Sequence, residues 1–172
     1  MRGLKCLLLV GFLLALPMAS QAGDPIVPFH ADDRKMNTAI NQARGTLDLF
    51  LANVLDAKGK SNADSSLKVA FQVDATDVGN EIIWVSGFSR NAKGRFVGFL
   101  ANEPNHMPAK HIHSKVRFTA QQIRDWGYFD AEGKLFGHST TRVLVKTLPD
   151  NQAKPILDLL SDYPVPDKWK PL

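Results

Sequence analysis

The sequence predicts an α+β domain: a curved antiparallel sheet of four to five strands, a long N-terminal helix packed across it, and short C-terminal helices closing the far side. Three observations lead there. Between Asp33 and Ala57 the apolar residues Met36, Ile40, Ala43, Leu47, Phe50 and Val54 recur at steps of four and three, one stripe of an α-helix. From Leu67 to Asp74 apolar and polar residues alternate, the period of a half-buried strand. Two further apolar runs follow, separated by short turn-rich stretches, which implies a meander.

The chain opens with Arg2 and Lys5, an apolar run from Cys6 to Leu16, Pro17, and small residues ending at Ala22. This is the pattern of a cleavable secretory signal, with export to the periplasm of a Gram-negative cell and a cut between Ala22 and Gly23. The stretch Leu4 to Leu16 falls short of the roughly 20 residues that span a bilayer, and Cys6 precedes the apolar run, so neither a membrane anchor nor a lipid anchor is expected. Removing residues 1–22 leaves 150, enough to bury a core without staples. That remainder has no cysteine, hence no disulfide, thiol nucleophile or thiolate metal site. Its 19 basic and 17 acidic residues give a charge of +2, and with no basic cluster it shows no electrostatic footprint for nucleic acid. Residues 23–150 read as one α+β domain and 151–172 as a short helix and proline-rich tail packed on it.

Each element has a local reason. Asp32 or Asp33 caps the long helix, Lys58 suits its negative end, and Gly59 can terminate it, while Gly45 inside suggests a close approach to another element. Strands are expected at residues 67–73, 81–88, 95–102 and 115–119. Thr119 then caps a brief helical turn through Gln122 and Trp126, and a hairpin follows around Asp130-Ala131-Glu132-Gly133. Residues 139–148 fit either a strand through Val143 and Val145 or a helix capped by Ser139, with the helix preferred. A short helix spans 151–161, and the tail from Tyr163, with three prolines and Trp169, is expected to be extended and strapped down by its aromatics. No internal repeat, coiled-coil seam or second domain stands out.

Several pieces occur together in a definite order: Ala43-Arg44-Gly45-Thr46-Leu47, Glu81-Ile82-Ile83-Trp84-Val85, the run Phe96 to Pro104, Val116-Arg117-Phe118 followed by Ile123-Arg124-Asp125-Trp126, and Gly137 to Leu144. In this arrangement, spanning about residues 36–148, the chain resembles the YegJ-like bacterial family, domain of unknown function 2314. The resemblance implies an α+β domain and no established activity. Members of that family often have a histidine where this chain has Ile82, so no role of such an imidazole carries over.

Candidate chemistry is sparse. The densest group of potential ligands is Glu103, Asn105, His106, His111 and His113; two histidines at i and i+2 on an extended segment point the same way, a half-site for a divalent transition metal. Lys110 and Lys115 flank them and no closed metal spacing is present, which fits an exposed polar loop equally. A second group, Glu81, Trp84, Asn102, Asp125 and Trp126, forms either an aromatic platform for a ligand or partner or a core anchor with satisfied polar groups. No G-x-S-x-G elbow occurs, and His138 beside Ser139 and Thr141 gives no obvious base–hydroxyl pairing.

The resulting expectation is a non-enzymatic, cofactor-free exported binding module that protects or inhibits an envelope partner. A metal binder using the His106, His111 and His113 loop is the alternative, and an envelope hydrolase comes last. Export makes one direct prediction. Intact-mass spectrometry of the periplasmic protein should give a polypeptide beginning at Gly23, and a full-length, membrane-retained chain would contradict it.

Overall fold

The computed structural model describes residues 33–74 and 79–170. The expected leader, 1–22, lies outside the described residues. Two helices, α1 (Arg34–Gly45) and α2 (Leu47–Val54), precede six strands: β1 (Ser65–Gln72), β2 (Asn80–Arg90), β3 (Phe96–Leu100), β4 (Lys115–Phe118), β5 (Ile123–Phe129) and β6 (Leu135–Gly137). They form one open antiparallel sheet in the order β4-β3-β2-β1-β5-β6. Helices α3 (Ser139–Leu144) and α4 (Asp150–Leu159) follow. The α+β class holds, with six strands rather than four to five.

Asp33 caps α1, its carboxylate accepting from the amides of Lys35 and Met36. The single long helix expected from the apolar stripe is in fact two, broken at Thr46, whose φ of −109° and ψ of 4° leave the helical region. Gly45 marks no close approach: a Cβ there would meet nothing within 4 Å. The break releases the Ala43 carbonyl from the regular ladder. It accepts from the Thr46 amide at 3.3 Å, the Thr46 hydroxyl at 3.2 Å and the Trp126 indole N–H at 3.1 Å. Trp126 Nε1 also lies 3.0 Å from Thr46 Oγ1.

Trp126 belongs to a strand, not to the expected helical turn. The turn is shorter, a 3-10 segment at Ala120–Gln122 closed by a reciprocal Thr119–Gln122 box. In β5, Leu67 faces Trp126, Lys68 faces Asp125 and Val69 faces Ile123, so Arg124 is an extra residue, a β-bulge. The bulge puts Ile123 and Trp126 on the same face. There they join Leu67, Val69, Ile83, Val85 and Phe88 under α2, with Phe50 stacked on Trp126 at 4.8 Å between ring centroids. Trp169 closes this core from the tail, 4.8 Å from Tyr128 and 6.0 Å from Trp126. Tyr163, by contrast, is 66% exposed and does not strap the tail down.

A short repeat does exist. Asp56-Ala-Lys-Gly59-Lys60, Asn91-Ala-Lys-Gly94-Arg95 and Asp130-Ala-Glu-Gly133-Lys134 share one pattern. In all three the first side chain accepts from the amides two and four residues on, and the glycine amide returns to the first carbonyl. Each glycine has φ between 73° and 77°, so the pattern is an Asx-nucleated turn that needs the left-handed conformation. Gly59 therefore sits in a turn beyond α2, which ends at Val54, five residues earlier, with Leu55 as its C-cap.

These turns predict a graded mutational effect. Gly133→Ala should lose about 1–2 kcal/mol from left-handed strain alone, since a Cβ there meets nothing within 4 Å. Gly59→Ala should lose clearly more, because its Cβ would lie 2.3 Å from the Arg90 carbonyl oxygen. Urea unfolding of both variants checks the order, and equal losses would contradict it.

Candidate functional site

Alternation along the strands gives the sheet two faces. Leu67, Val69 and Phe71 look toward α2 and the core; Ser66, Lys68 and Ala70 look outward. Register carries that outward set across the sheet. Trp84 on β2, Lys68 on β1 and Asp125 on β5 form one transverse row, and Lys115, Phe99, Ser86, Ser66 and Gly127 form the next.

Helix α3 covers the β1–β5 end of this face. Asp125 is fully buried, and its carboxylate accepts from the Thr140 amide and hydroxyl, both at 2.7 Å, and from the Trp126 amide at 2.8 Å. It thereby caps α3 from a different strand. Lys68 Nζ donates to Thr140 Oγ1 at 3.4 Å and stands 5.3 Å from the Trp84 ring centroid, so the hydroxyl links the cation to the carboxylate. Removal from water pushes the Asp125 carboxyl above its ordinary value of 3.8, against the opposing pull of the Thr140 and Trp126 donors and of Lys68.

His138 lies over the same row. Its left-handed backbone, φ 52° and ψ 37°, is uncommon for a residue with a side chain. It turns the imidazole onto Trp84, with centroids 4.3 Å apart and planes at 26°. The ring also crosses Gly127, where a Cβ would come within 2.4 Å of Nε2. Nδ1 lies 3.1 Å from Thr141 Oγ1, so a histidine–hydroxyl contact does form, at a spacing of three residues.

The sequence-derived candidates separate. Trp84 is half-buried on the outer face, and its amide donates to Asn102 Oδ1 at 3.2 Å. Trp126 is 1% exposed in the core on the opposite side, so the two tryptophans form no common platform. Glu81 is buried and grips the amides of Asn105 and His106, at 2.5 and 2.8 Å, anchoring the β3–β4 loop. In that loop Glu103 meets His111 Nδ1 at 2.9 Å and the Ile112 amide at 2.8 Å, both of which hold its carboxyl below the usual range. His106 lines an open depression of about 380 Å³ with Asp74 and Met107. Among the described residues no three histidine or acidic side chains converge on a point where a metal could sit. Lys68 is not singled out by the sequence, which offers His138 only as a base beside its neighbouring hydroxyls; strand register and the placement of α3 bring them together.

The family model described as "uncharacterized protein conserved in bacteria (DUF2314)" matches residues 33–158, well over half of the chain. The chain belongs to this family. The DUF2314 match begins at the Asp33 cap and takes in every strand of the sheet and all but the last residue of α4. No curated protein and no solved structure matches the chain.

Asp125 gives a pH-dependent prediction. Its three donors require two acceptor oxygens, and Asp125→Asn supplies only one, leaving a buried donor unmatched at a cost of about 1–3 kcal/mol. Because the folded carboxyl has the raised pKa, its contribution is fully present below 3.8 and is lost as pH rises through the folded value. The wild-type advantage over Asp125→Asn should therefore be largest in acid and shrink upward from 3.8. Urea unfolding of both proteins from about pH 4 to pH 7 measures this difference, and an advantage that grows with pH would contradict the raised value.

Proposed function

We propose that this DUF2314 protein is an exported, non-enzymatic interaction module that contacts an envelope partner through the outer face of strands β2, β3 and β4. The observation that carries this reading is the uneven cover of the face. Over β1 and β5 the outward side chains are buried beneath α3 and His138, whereas Phe99 and Ile82 remain 41% and 39% exposed. With half-buried Trp84 and Ser86 between them, they make an apolar and aromatic patch with a polar border, the composition that protein interfaces favour.

The same geometry supports binding better than catalysis. The groups with acid–base or nucleophilic character in the β1–β5 row, Asp125, Thr140 and Lys68, are each no more than 9% exposed and are used up in holding α3. A substrate would have to displace that helix to reach them. The leader-like first 22 residues support export, and among the described residues no helix is long and apolar enough to cross a membrane.

Ile82→Ser and Phe99→Ser test the reading. Both positions are exposed, so unfolding free energies should stay within about 0.5 kcal/mol of wild type. Capture of partner from an envelope extract, followed by titration of the purified partner, should show roughly tenfold weaker binding for each variant. Unchanged affinity in well-folded variants would remove this face from consideration.

A further inference from the structure

We propose that the occupant of this face is an acidic, extended segment of a partner protein, added as a strand to the outer edge of β4, on which no described strand pairs. The inference rests on the interaction reading above and specifies its partner. Two independent observations support it.

The first is charge. The exported chain as a whole stands near neutrality, at +2, but the sum conceals a segregation. Residues 80–124, which include β2, β3 and β4, hold seven lysines and arginines and two carboxylates, Glu81, whose oxygens take the Asn105 and His106 amides, and Glu103, while the rest of the exported chain is net −3. Glu103 is itself engaged with His111 and the Ile112 amide. On β4 the exposed residues are Lys115 and Arg117, which register places on the outer face beside Phe99 and Val97. Lys110 adds a third cation, its Nζ 3.4 Å from the Lys115 carbonyl.

The second is the edge itself. The sheet has two, and they are treated differently. The β6 edge is closed by the tail: Leu160 bridges Leu135 in parallel, the Ser161 amide donates to the Leu135 carbonyl, and the Gly137 amide donates to Pro164. Beyond β4 no described strand pairs, so alternate main-chain groups of Lys115–Phe118 face outward, with the Lys115 carbonyl met only by the exposed Lys110 side chain that an added strand would displace. Cations on an edge repel a second copy of the same basic strand. They attract a strand of opposite sign, whose main chain completes the ladder while its acidic side chains meet Lys115 and Arg117.

The test uses the full mature protein and fluorescein-labelled octapeptides, with binding read by anisotropy and hydrogen exchange. An alternating Thr-Glu peptide should bind, lose affinity as salt rises, and slow exchange of the amides at 115–118. Alternating Thr-Lys, and a Pro-Glu peptide that cannot donate to a ladder, should each bind at least about tenfold more weakly. Lys115→Glu with Arg117→Glu should weaken Thr-Glu binding by a similar factor, and the milder pair Lys115→Gln with Arg117→Gln should fall between, both with unchanged unfolding curves. Equal binding of Thr-Glu and Pro-Glu peptides without protection at 115–118, or binding only to phosphatidylglycerol vesicles, overturns strand addition. No Thr-Glu binding, with partner capture still sensitive to Phe99→Ser, overturns the acidic occupant and leaves the interaction reading standing; insensitivity to Phe99→Ser overturns that reading as well.

Discussion

The fold depends on one indole N–H placed in a gap in a helix. Trp126 donates to the carbonyl that the Thr46 break sets free, and this fixes β5 against the junction of α1 and α2. A buried indole without a partner would cost on the order of a few kcal/mol, and the broken helix offers it the Ala43 carbonyl, which the Thr46 amide and hydroxyl also approach. The break thus supplies the acceptor that the buried indole needs. The ring then provides the surface on which Phe50 stacks and against which Trp169 brings the tail.

Because neighbouring residues on a strand point to opposite faces, placing Trp126 in the core forces Asp125 to the other side. There it meets the start of α3, and its two oxygens receive three donors. A single Asp-Trp step thus secures helices on both faces of the sheet. The arrangement requires a buried carboxyl near a buried ammonium, which is costly to desolvate, and the raised pKa of Asp125 registers that cost. Thr140 makes it tolerable by supplying two donors to the carboxylate and an acceptor for Lys68. Arg142 completes the anchorage, donating to the carbonyls of Gly137 and Ser161 and so tying α3 to β6 and the tail.

Much of this architecture was legible in the residues. The Asp33 cap, the β1–β2–β3 meander and the Asp130 hairpin follow from local chemistry, because turns and caps are decided by a few adjacent side chains; the preferred helix forms at 139–144, but Ser139 is its first residue rather than its cap, and Asp125 on β5 takes the Thr140 amide instead. What misled was spacing. The apolar stripe runs unbroken through Ala43, Leu47 and Phe50, so periodicity gives no sign that Thr46 leaves the helix. At β5 the bulge at Arg124 puts Ile123 and Trp126 three residues apart on one face, and that interval is also the helical one. The outer row was not legible at all: Lys68 reads as the solvent side of an amphipathic strand, and only register with Trp84 and Asp125 reveals its burial. The segregation of charge is illegible in the total for a related reason, since a near-zero sum says nothing of where the charges fall.

The two ends of the sheet divide its tasks. At the β5–β6 end the outer face is roofed by α3, the edge is closed by residues 160–164, and polar groups are consumed in mutual contacts. Stability resides there, because every buried donor and acceptor has a structural use. At the β3–β4 end the face carries exposed Phe99 and Ile82, the edge strand is four residues long, and its free side chains are all cationic. None of that helps the isolated domain: exposed rings forgo burial, and clustered like charges repel. Features that cost the isolated domain and lie together on one face are what the proposed partner would cover; along the row from Asp125 through Lys68, both buried, to half-buried Trp84, the cover provided by α3 runs out.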